Sequence, residues 1–104
     1  MKNMLEAIVS RRSVRKWKTD PVSENDIKDI LEAAMNAPSA VNEQAWQFVV
    51  LTGKVLEDFV KINTNTPKGS PAGILVCGDK KADRLGGFYV HDCCAATQNI
   101  LLAV

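Results

Sequence analysis

NAPSAVNEQAWQFVVL, residues 36–51, links the end of one helix to a strand and decides how the rest of the chain is arranged. Its first half combines a proline with small and amide side chains, which is typical of a helix exit and a tight loop. Its second half predicts a strand over Trp46–Leu51. Because residues 48–51 are apolar without alternation, we expect this strand to be buried on both faces.

Two helices are predicted before this stretch. Apolar residues recur at helical spacing over residues 3 to about 11, namely Met1, Met4, Leu5, Ile8 and Val9. Residues 11–18 break the pattern, and Asp20-Pro21 closes the connection because the residue before a proline avoids helical geometry. Ser23 followed by Asp26 resembles a capping box. The second helix then presents one apolar face, formed by Ile27, Ile30, Leu31 and Ala34.

A helix, a strand and a longer helix are predicted after the stretch. Helical spacing returns at Val55, Leu56, Phe59 and Val60, residues 63–72 form a loop, and residues 74–77 form a second buried strand. The last helix presents a stripe made of Val90, Cys93, Cys94, Thr97, Ile100, Leu101 and Val104. That stripe has no glycine cap or proline stop at its end, so we expect a continuing helix and a longer parent protein. The interspersed elements predict a single α/β or α+β domain over residues 1–104.

Composition restricts the class of protein. The apolar fraction of 46% and the charged fraction of 24% are ordinary for a folded globular chain. A net charge of +1 provides no general attraction for nucleic acid or anionic lipid, and the apolar runs are too short to span a bilayer. The N-terminus leads directly into a patterned helix and not into a signal peptide, so we expect a cytoplasmic protein.

The cysteines and the single histidine offer little catalytic chemistry. Cys77, Cys93 and Cys94 contain no Cys-x-x-Cys pair, so we expect no disulfide framework. Cys93 and Cys94 beside His91 could be metal ligands, but their spacing matches no common zinc pattern. We therefore interpret the cysteines as buried small side chains and His91 as a solvent-facing residue near a helix start, with no metal site.

The first cluster that could bind a ligand is Arg11-Arg12-Ser13-x-Arg15. Planar guanidinium groups and a hydroxyl can hold phosphate oxygens in bidentate fashion. Alternatively, arginines at a helix C-terminus offset the helix dipole, a contribution of about 1 kcal/mol or less. Three arginines in five residues, followed by Lys16 and Lys18, exceed what a cap needs. A phosphate site and a solvated basic face are therefore about equally supported.

The second cluster is Pro38-Ser39-Ala40-x-Asn42-x-Gln44-x-Trp46. Its amide donors and acceptors match the edge of a flavin pyrimidine ring. The alternative is an ordinary loop whose amides bond their own backbone. The sequence contains neither the Gly-x-Gly-x-x-Gly fingerprint of a dinucleotide domain nor a phosphate-cradling P-loop.

Together, residues 11–17 and 33–46, and further on residues 74–79 and 92–103, resemble the nitroreductase family of flavoproteins in order and in spacing. The resemblance covers nearly the whole chain. It implies an α+β fold with a mixed sheet flanked by helices, incomplete at the C-terminus, and an intertwined homodimer with FMN at the subunit interface. By the family pattern, the FMN phosphate and ribityl chain would be held by Arg11, Arg12, Ser13 and Arg15. The isoalloxazine would be contacted by Pro38, Ser39 and Asn42 of the partner subunit.

The function that this resemblance implies is an FMN-dependent oxidoreductase. NAD(P)H would give a hydride to the flavin and leave, and a nitroaromatic or quinone acceptor would then be reduced in the same pocket, with no side-chain acid or nucleophile required. A further flavin contact from Asn63 or Asn65 is left open.

Two departures from the family pattern support an alternative function. Ala45 stands where the family commonly has proline, and the C-terminal half that completes the flavin site in relatives is missing. The alternative is therefore a truncated member that folds or oligomerises without catalysis. A phosphate-ligand or nucleic-acid binder using residues 11–18 is a more distant third hypothesis.

Overall fold

The computed structural model describes residues 3–66 and 68–104. Its helices are α1 (Met4–Ser10), α2 (Glu24–Met35), α3 (Gly53–Ile62) and α4 (Tyr89–Ala103), and its strands are β1 (Trp46–Leu51) and β2 (Gly73–Gly78). A single 3-10 turn, Ala40–Asn42, precedes β1. The predicted α+β class is confirmed. Met1 of the predicted first helix and Pro67 of the predicted 63–72 loop lie outside the described residues.

The helix starts follow the capping signals of the sequence. Ser23 Oγ accepts the Asp26 N–H at 3.1 Å, which confirms the predicted cap of α2. Asn3 Oδ1 accepts the Glu6 N–H at 2.9 Å and caps α1 in the same way. Both caps satisfy backbone donors that the first turn of a helix leaves without a partner.

The two strands pair antiparallel and are connected through α3. Trp46 lies opposite Gly78 and Leu51 lies opposite Gly73. Helix α4 packs along α2 and also contacts both strands, so the helix pair covers one face of the sheet. The buried core between them consists of Ala34, Ala37, Trp46, Ala96 and Ile100.

The prediction that the strands are buried on both faces is wrong for the part of the chain that the structure describes. Phe48 and its strand partner Val76 pack against the core. Val49 and its partner Leu75 point to the opposite face and are 45% and 38% exposed. An apolar run predicts burial on two faces, but α2 and α4 cover only one.

The predicted stripe of α4 is only partly the buried face. Ile100 is buried as expected, whereas Val90, Cys94, Leu101 and Val104 are exposed. The helix instead turns Asp92 and Ala96 inward. Ala96 and Ala34 of α2 are both 0% exposed, and Asn99 Nδ2 donates to the Ala33 carbonyl at 2.9 Å. Small residues allow the two helices to approach closely, so the large apolar residues do not mark the packed side.

The prediction that the cysteines are buried holds only in part. Cys77 and Cys93 are partly buried, whereas Cys94 is exposed. His91 is exposed near the start of α4, as predicted. Across residues 3–66 and 68–104, no helix combines the length and hydropathy that crossing a membrane requires.

Candidate functional site

The basic segment, residues 11–18, follows the end of α1 in a non-helical conformation. Arg12 Nη1 donates to the carbonyl oxygens of Val9 and Arg11, both at 2.8 Å. These carbonyls belong to the last turn and the C-cap of α1, where backbone acceptors lack helical partners. Arg12 therefore has the capping role that the sequence left open as an alternative, and its other guanidinium donors are available for a second partner.

Among the described residues, no cation of the basic segment has an acidic partner. The two ion pairs among the described residues lie within α3 and between Glu43 and Arg84. Ser13 is exposed and accompanies cationic side chains that are exposed or partly buried, namely Arg11, Arg15, Lys16 and Lys18. A cluster of uncompensated charge fits an anionic group such as phosphate.

Trp17 connects the basic segment to the rest of the fold. Its side chain lines a cavity of about 310 Å³ together with Leu56, Phe59 and Ile74. The cavity lies between the segment, α3 and the start of β2. Trp17 therefore places the far end of the basic segment next to these two elements.

The second predicted cluster lies in the loop of residues 38–44, which has an unfavourable backbone conformation. Val41, Asn42 and Gln44 have φ angles of 45°, 55° and 53°. Asn tolerates this left-handed region, but for a β-branched residue such as Val41 it is a genuine outlier. A left-handed conformation costs about 1–2 kcal/mol for each non-glycine residue. The surrounding structure must therefore hold the loop in place.

Within the loop, hydrogen bonds join close neighbours. Ser39 Oγ accepts the Gln44 N–H at 3.1 Å, and the Ser39 carbonyl accepts the Asn42 N–H at 3.0 Å. The Ser39 hydroxyl still has a proton that it can donate to a ligand. Pro38, Asn42 and Gln44 are exposed. Trp46 is instead a core residue whose ring lies 6.3 Å from that of Phe48.

Contacts with distant parts of the chain anchor the loop. Asp92 Oδ1 accepts the Ala40 N–H at 3.0 Å. The Glu43 carboxylate, with its side chain only 2% exposed, accepts the backbone N–H of Arg84 at 3.0 Å and its Nε–H at 3.2 Å. The sequence did not predict these roles of Asp92, Glu43 and Arg84. Nothing in an acidic residue near a helix start, or in an isolated Glu and Arg, signals a contact across the fold.

The structure does not join the two predicted clusters. No hydrogen bond or ion pair links the basic segment to the 38–44 loop in the part of the chain that is described. Asn63 and Asn65 lie in the connection after α3, where Asn63 Oδ1 accepts the Asn65 N–H at 3.2 Å. The Asn63 amide oxygen is therefore used in a local turn.

Cys93, which follows Asp92 in sequence, has a thiol that stays protonated at neutral pH. Burial, followed by the charge of Asp92, raises the pKa of the Cys93 thiol above its ordinary value. A raised pKa lowers the thiolate fraction, so Cys93 is a poor nucleophile at neutral pH. No three His, Cys, Asp or Glu side chains among the described residues are grouped as metal ligands.

Comparison with known proteins identifies relatives of the chain. The model of the nitroreductase family matches residues 8–74. A protein of Methanothermobacter thermautotrophicus, provisionally named NADH dehydrogenase/NAD(P)H nitroreductase, is 43% identical over 104 residues, which cover 97% of this chain and 54% of the relative.

Solved structures share the fold. A Parabacteroides distasonis protein, provisionally named NADH dehydrogenase/NAD(P)H nitroreductase, superposes with a TM-score of 0.85 at 35% identity, covering 98% of this chain and 62% of that protein. A provisionally named nitroreductase of Desulfovibrio desulfuricans was solved in complex with FMN. It superposes with a TM-score of 0.83 at 31% identity, and the match covers 99% of this chain and 63% of that protein. The chain thus spans between about half and two thirds of these relatives. By its family match and its similarity to these relatives, the chain belongs to the nitroreductase family.

Proposed function

We propose that this chain binds FMN and acts as an oxidoreductase that passes a hydride from NAD(P)H to an acceptor such as a nitroaromatic or a quinone. The observation that carries the proposal is the basic segment, whose cations lack acidic partners among the described residues. Family membership agrees with it, and the Desulfovibrio desulfuricans relative was solved in complex with FMN.

The basic segment fits the phosphate end of FMN. Arg11 and Arg15 offer guanidinium forks, Ser13 offers a hydroxyl, and Arg12 keeps donors beyond the two that cap α1. These four residues would hold the phosphate and ribityl chain. Lys16 and Lys18 add positive charge nearby without ion-pair partners in the described part of the chain.

The 38–44 loop fits the ring end of FMN. Its backbone conformation leaves Pro38 and Asn42 exposed and Ser39 partly so, which gives a flat apolar group, an amide and a hydroxyl for the isoalloxazine. Because no hydrogen bond joins this loop to the basic segment within the described residues, a site shared between subunits is the simplest arrangement. The ring would then be contacted by Pro38, Ser39 and Asn42 of the partner subunit.

Exposed apolar surface supports a homodimer. Helix α1 has no buried residue, and its apolar side chains are exposed at Met4, Leu5, Ile8 and Val9. Helix α4 exposes Val90, Leu101 and Val104. Apolar patches of this kind are typical of protein interfaces. A cytoplasmic location, supported by the three free cysteines, completes the proposal.

The chemistry would come from the cofactor and its placement from the protein. When bound, FMN supplies hydride transfer in a ping-pong cycle, in which NAD(P)H leaves before the acceptor enters. The chain's own residues would hold the phosphate with the cations of the basic segment and orient the ring through the 38–44 loop. None of these roles requires a side-chain nucleophile, in agreement with the neutral Cys93 thiol.

The first test is an absorbance spectrum of the purified chain with its intact mass, followed by titration of the flavin-free protein with FMN. We expect flavin bands close to stoichiometric with protein and saturable quenching of FMN fluorescence. Absence of saturable FMN binding in a folded sample would contradict the proposal. Light scattering on the same sample measures the oligomeric state.

The second candidate is a family member that folds and oligomerises without catalysis. It is favoured by the exposed apolar faces of α1 and α4. Steady-state oxidation of NADH or NADPH with a quinone acceptor distinguishes the two. Turnover above the rate of free FMN would exclude the inactive candidate.

A further inference from the structure

The 38–44 loop is the part of the proposed flavin site that depends most on contacts from outside. Three of its residues, Val41, Asn42 and Gln44, have positive φ angles. Its internal hydrogen bonds join only near neighbours, such as Ser39 and Gln44. Since left-handed backbone is unfavourable for residues with side chains, a loop of this kind relaxes unless the rest of the fold fixes it.

Asp92 reaches the loop from α4. Its Oδ1 accepts the Ala40 N–H at 3.0 Å across 52 positions of sequence. Asp92 is 4% exposed, and its Oδ2 has no hydrogen-bond partner among the described residues. A buried carboxylate with an unsatisfied oxygen is unfavourable for stability. The bond to Ala40 is the one hydrogen bond that this carboxylate makes within the described part, and it points to a role in the loop.

We propose that Asp92 is a positioning residue that fixes the 38–44 loop at Ala40 and thereby sets the affinity of the chain for FMN. This inference rests on the proposed function. Ala40 directly precedes Val41 and Asn42, so the bond to Asp92 holds the backbone on one side of the left-handed residues. The Glu43–Arg84 contact holds the backbone between the left-handed residues Asn42 and Gln44. A loop that is already ordered loses less conformational freedom when the ligand binds.

Asp83 provides a matched control. It is also a buried carboxylate, in the connection that leads into α4, and its Oδ1 also lacks a hydrogen-bond partner among the described residues. Its Oδ2 accepts the Tyr89 N–H at 3.1 Å and makes no bond to the 38–44 loop. Asp83→Ala therefore removes a buried carboxylate of the same kind, which accepts the N–H of the first residue of α4, and leaves the Asp92–Ala40 hydrogen bond in place.

The first measurement is amide hydrogen exchange of the flavin-free chain by NMR. We expect Asp92→Ala to speed exchange of the Ala40 N–H by about tenfold or more, because its acceptor is lost. Asp92→Asn keeps an oxygen acceptor and should stay within about threefold of wild type, as should Asp83→Ala. Unchanged Ala40 exchange in Asp92→Ala would overturn the proposal. If that variant does not fold, Asp92→Leu removes the acceptor while filling the buried space.

The second measurement is FMN titration of the same variants at a temperature where circular dichroism shows each to be folded. Asp92→Ala should bind FMN about tenfold more weakly, whereas Asp92→Asn and Asp83→Ala should stay within about threefold of wild type. Equal losses in Asp92→Ala and Asp83→Ala would overturn the positioning role. If wild type binds no FMN, the proposed function fails, and Ala40 exchange alone then decides whether Asp92 fixes the loop.

Discussion

Gly78, the last residue of β2, lies directly against the ring of Tyr89, the first residue of α4. A Cβ atom on Gly78 would overlap Tyr89 Cδ2 and would lie 3.0 Å from its Cε2 and Cγ atoms. The missing side chain allows α4 to begin close against the end of the strand. Asp92 follows one helical turn later, so a shift of the helix start would also move the carboxylate that accepts the Ala40 N–H.

Gly78→Ala should lower the free energy of unfolding by about 1–3 kcal/mol, because the ring and the helix start must move to admit the methyl group. Urea denaturation measures the loss. Gly73→Ala at the other end of β2 is the control, since its Cβ would meet the flexible end of Leu56 at 3.3 Å. It should cost less than Gly78→Ala. In a Tyr89→Ala background, Gly78→Ala should change the free energy of unfolding very little. If the loss of stability there is as large as in wild type, overlap with the Tyr89 ring is not its cause.

The close approach of α2 and α4 predicts a second stability effect. Ala96→Leu places three additional carbon atoms where the side chain is completely buried against α2, so we expect a loss of about 1–3 kcal/mol in urea denaturation. Ala103→Leu on the exposed end of the same helix should change stability by about 0.5 kcal/mol or less. Similar effects of the two substitutions would argue against tight packing at Ala96.

The features predictable from sequence are those set by neighbouring residues. The Ser23 cap and the spacing of apolar residues in α2 are local signals, and both were confirmed. The packed face of α4 was predicted only in part: Ile100 is buried as expected, but Ala96 carries too little apolar surface to mark the rest of that face. The anchor between Asp92 and Ala40 joins residues 52 positions apart, and no local pattern specifies such a pair. The left-handed backbone of Val41 could not be predicted from the sequence either, because valine disfavours that conformation.

The environment of Cys93 predicts a pH dependence of stability. Burial and the charge of Asp92 raise its folded-state pKa above the ordinary value of 9.0. As pH rises past 9.0, the unfolded thiol ionises while the folded thiol keeps its proton. Folded protein then binds more protons than unfolded protein, so the free energy of unfolding falls with pH until the folded pKa is passed. Urea denaturation should show a smaller alkaline loss in Cys93→Ala, and an identical loss would contradict this prediction.

The same environment predicts the order of thiol labelling. Exposed Cys94 should react with iodoacetamide before partly buried Cys93, because Cys94 is more accessible and the raised pKa of Cys93 lowers the thiolate fraction of Cys93. Peptide mass spectrometry after timed labelling at pH 8 identifies the modified site. Faster modification of Cys93 than of Cys94 in folded protein would be inconsistent with the described packing.

The role of the basic segment is tested by comparing the binding of FMN with that of riboflavin. Arg15→Gln should weaken FMN binding by about tenfold, because it removes a cation without an acidic partner in the described structure. Riboflavin lacks the phosphate, so its affinity should change by about twofold or less. Lys28→Gln, which removes an exposed cation of α2, is the charge-matched control and should leave both affinities unchanged. If Arg15→Gln weakens both flavins equally, or neither, Arg15 does not hold the phosphate.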